Sequence, residues 1–238
     1  MNKRSAFTLI ELIVVLGIIA LLFTLVSAIV NNVRETAKSV ACKNNLRQMI
    51  LAALAHTDDH KGEFPPAFVN KGMGEVSSWE EFLWAYDARR ANDGKVHQCP
   101  SFHGSAMWAG DHYTGYNYNS SYIGAGKYVF NGVDMDSDRS ARLSRITNPA
   151  NCAVFGDGEY ESGANKFMRS PRPGPLDADA GATIAGTQGF RHRGATNVAF
   201  ADGAVRSLYE RHTNTVARGV VSKSCGFLSP DNSLYDYD

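Results

Sequence analysis

Residues 7–30, FTLIELIVVLGIIALLFTLVSAIV, form an apolar run of 24 residues that carries one charge, Glu11. From Leu12 to Val30 nineteen uncharged, mostly apolar residues follow in succession. At about 1.5 Å rise per residue, such a helix crosses the roughly 30 Å hydrocarbon core of a bilayer. The flank before it, Met-Asn-Lys-Arg-Ser-Ala, is short and basic. Lys3 and Arg4 are expected to hold the N-terminus in the cytoplasm, which places everything after residue 30 across the membrane. The competing reading is a secretory signal peptide cut after Ala28, within Val26-Ser27-Ala28. Against it, the run exceeds a usual signal core and holds a carboxylate in its first third. An ionisable group inside a span costs about 2.5–3.5 kcal/mol on insertion scales, so Glu11 reads as functional.

The helical pattern does not stop at the bilayer. Residues 31–56 contain neither Pro nor Gly. Val33, Ala37, Val40, Ala41, Leu46, Met49, Ile50, Ala53 and Leu54 recur at helical spacing, with Arg34, Lys38, Lys43 and Arg47 on the polar face. The sequence therefore predicts one helix over 7–56, apolar all round in its first half and amphipathic in its second. Asp58 to Pro66 (DDHKGEFPP) is expected to end it.

Residues 57–238 read as a globular head. Ser78 and Glu81 make a capping box for a short helix reaching about Tyr86. Strands are predicted at 95–99, 128–133, 151–155, 197–201 and 204–208, the last two joined by Asp202-Gly203 as a two-residue hairpin turn. Residues 157–190 read as a long loop. Lys+Arg and Asp+Glu both number 24, and this balance argues against a nucleic-acid binder that relies on a basic surface.

The basic leader, the small residue Ala6 and the following Phe-Thr-Leu-Ile-Glu-Leu closely resemble the type IV prepilin signal. The resemblance implies that prepilin peptidase cuts between Ala6 and Phe7 and that the new Phe7 amine is methylated. The family usually carries Gly where this chain has Ala6. It also implies that Glu11 serves assembly. One subunit's Glu11 would meet the next subunit's Phe7 amine, removing two unpaired charges from lipid and fixing axial register. The bland alternative is that Glu11 snorkels to the interface. A second resemblance is to a prepilin-like family abundant in planctomycetes and their relatives. It rests on the spacing from His192 to Asp202-Gly203 (HRGATNVAFADG), Cys42 to Gln48 (CKNNLRQ), Gly62 to Pro65 (GEFP), Cys99-Pro100-Ser101 and Gly156-Asp157-Gly158.

The remaining candidates are weighed on their chemistry. His192 and Asp202 as a hydrolytic pair would need a nucleophile and an oxyanion hole, and no G-x-S-x-G, H-E-x-x-H or P-loop occurs. Asp202-Gly203 is expected to be a turn, with His192 bonded near the preceding strand's start. Asp134, Asp136 and Asp138 imitate the opening of an EF-hand loop. Arg139 stands where that loop needs Gly and Arg145 where it needs Glu, so calcium is a weak expectation and no other cofactor is expected. Cys42, Cys99, Cys152 and Cys225 allow three disulfide pairings, and at least one bridge, involving Cys99, is expected. No C-x-x-C supports zinc. Tyr113, Tyr116, Tyr118, Tyr122 and Tyr128 are expected to pack on a sheet.

The expected architecture is therefore α+β and type IV pilin-like, a long N-terminal helix packed on a head with an antiparallel sheet. The resemblance implies a non-enzymatic structural subunit of a type IV pilus or type II secretion pseudopilus. Its partners would be prepilin peptidase, like or related pilin subunits, an inner-membrane assembly platform and lipid. The chain would be a single-pass inner-membrane protein with a periplasmic head. The alternative is a membrane-anchored envelope protein with the same processing that does not polymerise.

Overall fold

A computed structural model describes residues 8–70, 76–86, 97–106, 115–130, 133–134, 139–160, 163–176, 188–213 and 224–237. The first helix, α1, runs unbroken over Leu9–Asp59, 51 residues or about 76 Å at 1.5 Å per residue. It outlasts the expected end at residue 56 by one turn. Thr57 turns its hydroxyl back on the Leu54 carbonyl at 2.7 Å, and Gly62 N–H reaches the Thr57 carbonyl at 2.8 Å. Lys61 and Gly62, at φ 56° and 84°, then turn the chain out of the helix.

The two halves of α1 have different surroundings. From Leu9 to Val30 the large apolar side chains lie bare, Ile10 at 69% and Phe23 at 72% exposure. Below them Cys42, Leu46, Met49, Ile50 and Ala53 form a buried stripe at i, i+4, i+7, i+8 and i+11. That stripe packs on the head.

Among the described residues eleven strands follow: β1 (Phe68–Asn70), β2 (Val76–Ser78), β3 (Asn117–Asn119), β4 (Gly126–Phe130), β5 (Val133–Asp134), β6 (Ala153–Gly156), β7 (Phe167–Met168), β8 (Gln188–Gly189), β9 (Thr196–Phe200), β10 (Val205–Leu208) and β11 (Cys225–Gly226). The short helix α2 covers Trp79–Leu83. The sheets run β2-β1-β4-β5, β10-β9-β6-β3-β7 and β11-β8. The expected antiparallel pairing holds for six of these strand pairs, while β1 with β4 and β3 with β7 are parallel. Each parallel pair is joined by a long excursion, as a parallel crossover requires. Residues 97–99 of the expected strand 95–99 are not extended pairs, and the rest of it lies outside the described residues.

The five-stranded sheet is covered on both faces, so β9 is buried along its whole length. Val198 and Phe200 join a cluster with Ala153, Met168, Phe227 and Tyr235, while Ala199 and Ala201 join the larger core with α1. In β6 a register shift between Ala153 and Phe155 breaks the alternation, and Val154 and Phe155 both enter the core beneath α1. Trp79 completes that core, its ring 5.3 Å from Phe155 and its Nε1–H donated to the Lys166 carbonyl at 3.0 Å.

Ser78 is the N-cap of α2, but the expected capping box does not form. The Ser78 hydroxyl bonds instead to Glu80, whose other oxygen pairs with Lys166. Both side chains of that ion pair are buried. A hairpin joins β9 and β10 at Asp202-Gly203, but its loop has three residues rather than the expected two: Phe200 opposes Ala204, Ala201 joins the turn, and Gly203 takes φ 82°. Tyr116 and Tyr118 pack inside, while Tyr113 and the side chain of Tyr128 lie outside the described residues.

Candidate functional site

Two regions stand out, the start of α1 and a polar cluster where α1 meets the head. At the start, Thr8 is the N-cap and forms a complete capping box with Glu11. The Thr8 N–H and hydroxyl donate to Glu11 Oε2 at 2.9 and 2.8 Å, and Glu11 N–H points to Thr8 Oγ1 at 3.4 Å. The carboxylate thus satisfies backbone donors that a helix N-terminus leaves unpaired. The expected cleavage position, Ala6 and Phe7, lies outside the described residues.

The second region gathers four residues that are far apart in sequence. Cys42 comes from α1, Cys99 from the loop after residue 97, Asp157 from the end of β6, and His192 from the turn before β9. One ligand atom from each lies within 4.8 Å of the others, and all four residues are buried. Cys42 Sγ is 3.1 Å from Asp157 Oδ1, and Cys99 Sγ is 3.5 Å from His192 Nε2. His192 Nε2 is 3.3 Å from Asp157 Oδ2.

Local sequence explains each placement. Asp157 follows a buried strand and sits between two glycines; a Cβ on Gly158 would strike the Asn165 carbonyl. Asn197 N–H donates to Asp157 Oδ2 at 2.7 Å and fixes the carboxylate. His192 pairs with Ala195 through backbone bonds of 3.0 and 3.1 Å. Between them Arg193 and Gly194, at φ 57° and 83°, form a tight two-residue turn. The α1 segment around Cys42 is tied down as well. Asn45 donates to the Gln98 carbonyl at 3.3 Å and to Tyr116 Oη at 3.2 Å. Arg47 donates to the Gly203 carbonyl at 2.9 Å.

Arg191 borders the cluster. Its Nε–H points to Cys99 Sγ at 3.4 Å, and its Nη2 lies 3.6 Å from Asp157 Oδ1. It also pairs with Glu159 at 2.8 Å and donates to the Gly115 carbonyl. Burial pushes the Cys99 thiol up, but the hydrogen bond from Cys42 and the nearby Arg191 charge outweigh it and bring the thiol to about 5. Burial acts the other way on His192, and its bonds to Asp157 and Cys99 raise it to about 9. Burial also raises Asp157, yet Arg191 and His192 hold its carboxyl below the ordinary range. Cys42, desolvated, bonded to Cys99 and facing the same carboxylate, is raised well above a usual thiol. Cys99 and His192 thus favour a thiolate–imidazolium pair, but Cys99 is only 1% exposed and His192 3%. At that burial a substrate has no open approach to the thiolate.

The expected disulfide is not formed, for none of the four cysteines is bridged to another. Cys42 and Cys99 lie side by side unbridged, with the Cys42 sulfur also against Asp157 and the Cys99 sulfur against His192. Cys152 bonds to the Tyr235 carbonyl at 3.6 Å, and Cys225 belongs to the cluster on the other face of the sheet. His192 is not bonded merely at a strand start, as expected; its ring enters the cluster, while Asp202 caps its own turn by accepting from Ala204 N–H at 2.8 Å. Asp134 lies in β5, and Asp136 and Asp138 lie outside the described residues. The two arginines of the supposed calcium loop have other partners, Arg139 near Glu63 at 3.7 Å and Arg145 over the Tyr237 ring at 5.8 Å. Asp157 and Arg191 were not foreseen as site residues.

Comparison with known proteins agrees with the N-terminal reading. Residues 1–27 match the family described as the prokaryotic N-terminal methylation motif. Residues 31–88 match a family described as a protein of unknown function (DUF1559). No curated protein and no solved structure matches the chain.

Proposed function

We propose that this chain is a pilin-like structural subunit that assembles through α1 into a type IV pilus or a type II secretion pseudopilus, supporting protein secretion. The observation that carries the reading is the division of α1. Its first half is bare and apolar from Leu9 to Val30, and its second half is built into the head. A helix of that kind is unstable in water and is satisfied by lipid or by the same helix of neighbouring subunits. The match to the methylation motif supports processing by prepilin peptidase between Ala6 and Phe7. The head stands in the periplasm and performs no reaction of its own, and the N-terminus faces the inner-membrane assembly platform.

A second reading is favoured by one observation. Glu11 already has partners within its own chain, in the capping box with Thr8. A subunit so capped needs no neighbour to satisfy the carboxylate, which suits a membrane-anchored envelope protein that does not polymerise. Electron microscopy of cells producing a tagged copy separates the two. Tagged filaments support assembly; tag confined to the membrane, with no filament under conditions of full processing, supports the anchor.

A further inference from the structure

We propose that Cys42, Cys99, Asp157 and His192 form a structural zinc site that fastens α1 to the head. The separations suit the ion. With ligands at about 2.0–2.3 Å from zinc, the edges of a tetrahedron are about 3.3–3.8 Å. One donor atom from each residue lies within 4.8 Å of the others; Cys99 Sγ and His192 Nε2 are 3.5 Å apart, and Asp157 reaches Cys42 Sγ at 3.1 Å through Oδ1 and His192 Nε2 at 3.3 Å through Oδ2. Small side-chain adjustments bring four donors onto one centre.

The donor set selects the metal. Two sulfurs, one imidazole nitrogen and one carboxylate oxygen suit a borderline-soft, tetrahedral ion, and they do not suit calcium or magnesium, which require oxygen shells. All four donors are buried, which matches a closed structural site and leaves no position for substrate. The charge closes as well. Two thiolates and a carboxylate carry three negative charges, zinc returns two, and Arg191, shared with Glu159, sets its positive charge 3.4 Å off Cys99 Sγ and 3.6 Å off Asp157 Oδ1. Arg191 and the Asn197 N–H then serve as the outer partners that orient metal ligands. On binding, zinc displaces two protons to solvent, the thiol proton of Cys42 and the one that Cys99 and His192 Nε2 share as a pair.

Four short fragments scattered over the chain, CKNNLRQ, CPS, GDG and HRGATNVAFADG, each contribute one ligand. The site therefore ties the helix to three separate pieces of the head, which local sequence alone would not hold together.

The test uses the full chain purified in detergent, with metal content measured by mass spectrometry and thiol state by intact mass. One zinc per chain is expected, with both thiols free of a disulfide, and an X-ray absorption spectrum showing two sulfur and two lighter ligands. Cobalt exchanged into the same chain should give a thiolate charge-transfer band and tetrahedral d–d bands, a readout that needs no variant. Cys99→Ser and His192→Ala should lose the metal, whereas Cys152→Ser and Cys225→Ser should keep it. Arg191→Gln, which leaves the four ligands in place, should weaken zinc binding about 10–100-fold. A Cys42–Cys99 disulfide in the native chain, stoichiometric copper or iron in place of zinc, or a reduced chain that takes up no zinc or cobalt would each overturn the proposal. Zinc retained in Cys99→Ser would overturn it equally.

Discussion

Cys42 on the long helix and Asp157 at the end of a central strand, 115 residues apart, meet with Sγ and Oδ1 at 3.1 Å. Asp157 is buried and is opposed by Arg191, itself held by Glu159. Asp157→Asn leaves that guanidinium with its nearest buried counter-charge removed. Loss of one partner of a buried pair costs about 3–5 kcal/mol, and the denaturant midpoint of the head should fall accordingly. A midpoint unchanged from the parent would show that Glu159 alone neutralises Arg191.

The Glu80–Lys166 pair offers a separate test of the same physics. Each side chain is 2% exposed, and Lys166 also presents its carbonyl to Trp79. Glu80→Gln should destabilise by about 3–5 kcal/mol, while an apolar double replacement, Glu80→Met with Lys166→Leu, should recover much of the loss. If the double variant is no more stable than the single, the Ser78–Glu80 bond rather than the ion pair is what α2 requires.

Glu11 is required for assembly and dispensable for insertion in the reading proposed above. Glu11→Val makes the span more apolar, so membrane fractionation should find at least as much protein there, while microscopy should find no filaments. Thr8→Ala removes the capping partner and leaves the carboxylate, at a helix cost of about 0.5–2 kcal/mol, and should still permit filaments. Filaments from Glu11→Val would sink the pairing between neighbours.

The mature chain should begin at methylated Phe7. Mass spectrometry of the purified N-terminus reads this directly. A chain beginning at Ile29 would mean that a signal peptidase acted after Ala28 instead.

Alkaline pH should weaken the head through Cys152. Burial, with the nearby Asp236 charge adding to it, pushes this thiol from its ordinary 9.0 up to about 12. The folded protein keeps a proton that the unfolded chain releases, so stability is intact below pH 9 and declines as pH rises from 9 towards 12. Tyr116 and Tyr118 are raised by burial as well and act in the same direction. Cys152→Ala should flatten the decline seen by circular dichroism; an unaltered slope would assign it to the tyrosines.

The long helix and the hairpin at Gly203 were legible because each is a local signal: apolar spacing in one, a turn dipeptide in the other. Gly203→Ala should cost about 1–2 kcal/mol from its positive φ alone, since the nearest atom to an added Cβ is Leu54 Cδ1 at 3.8 Å. The parallel pairs β1–β4 and β3–β7 were not legible, because a strand of two or three residues carries no mark of its partner's direction. The cluster was harder still. Cys42, Cys99 and His192 were each named as candidates, but for disulfides and for a sequence signature. No C-x-x-C links the thiols, and Asp157 was quoted only within its Gly-Asp-Gly fragment. Only the tertiary fold brings the four together, and the one available hint was that each lay in a short fragment supporting the second resemblance.

The unbroken course of α1 from Leu9 to Asp59 has a mechanical consequence. A rod without Pro, built into the head at one end, conveys any pull on its other end along its axis with little give. The traction leaves the rod where Cys42, Asn45 and Arg47 grip Asp157, the Gln98 carbonyl and the Gly203 carbonyl. Those attachments fall within two turns of the helix, so a pull along its axis loads all three in shear at once rather than one strand at a time.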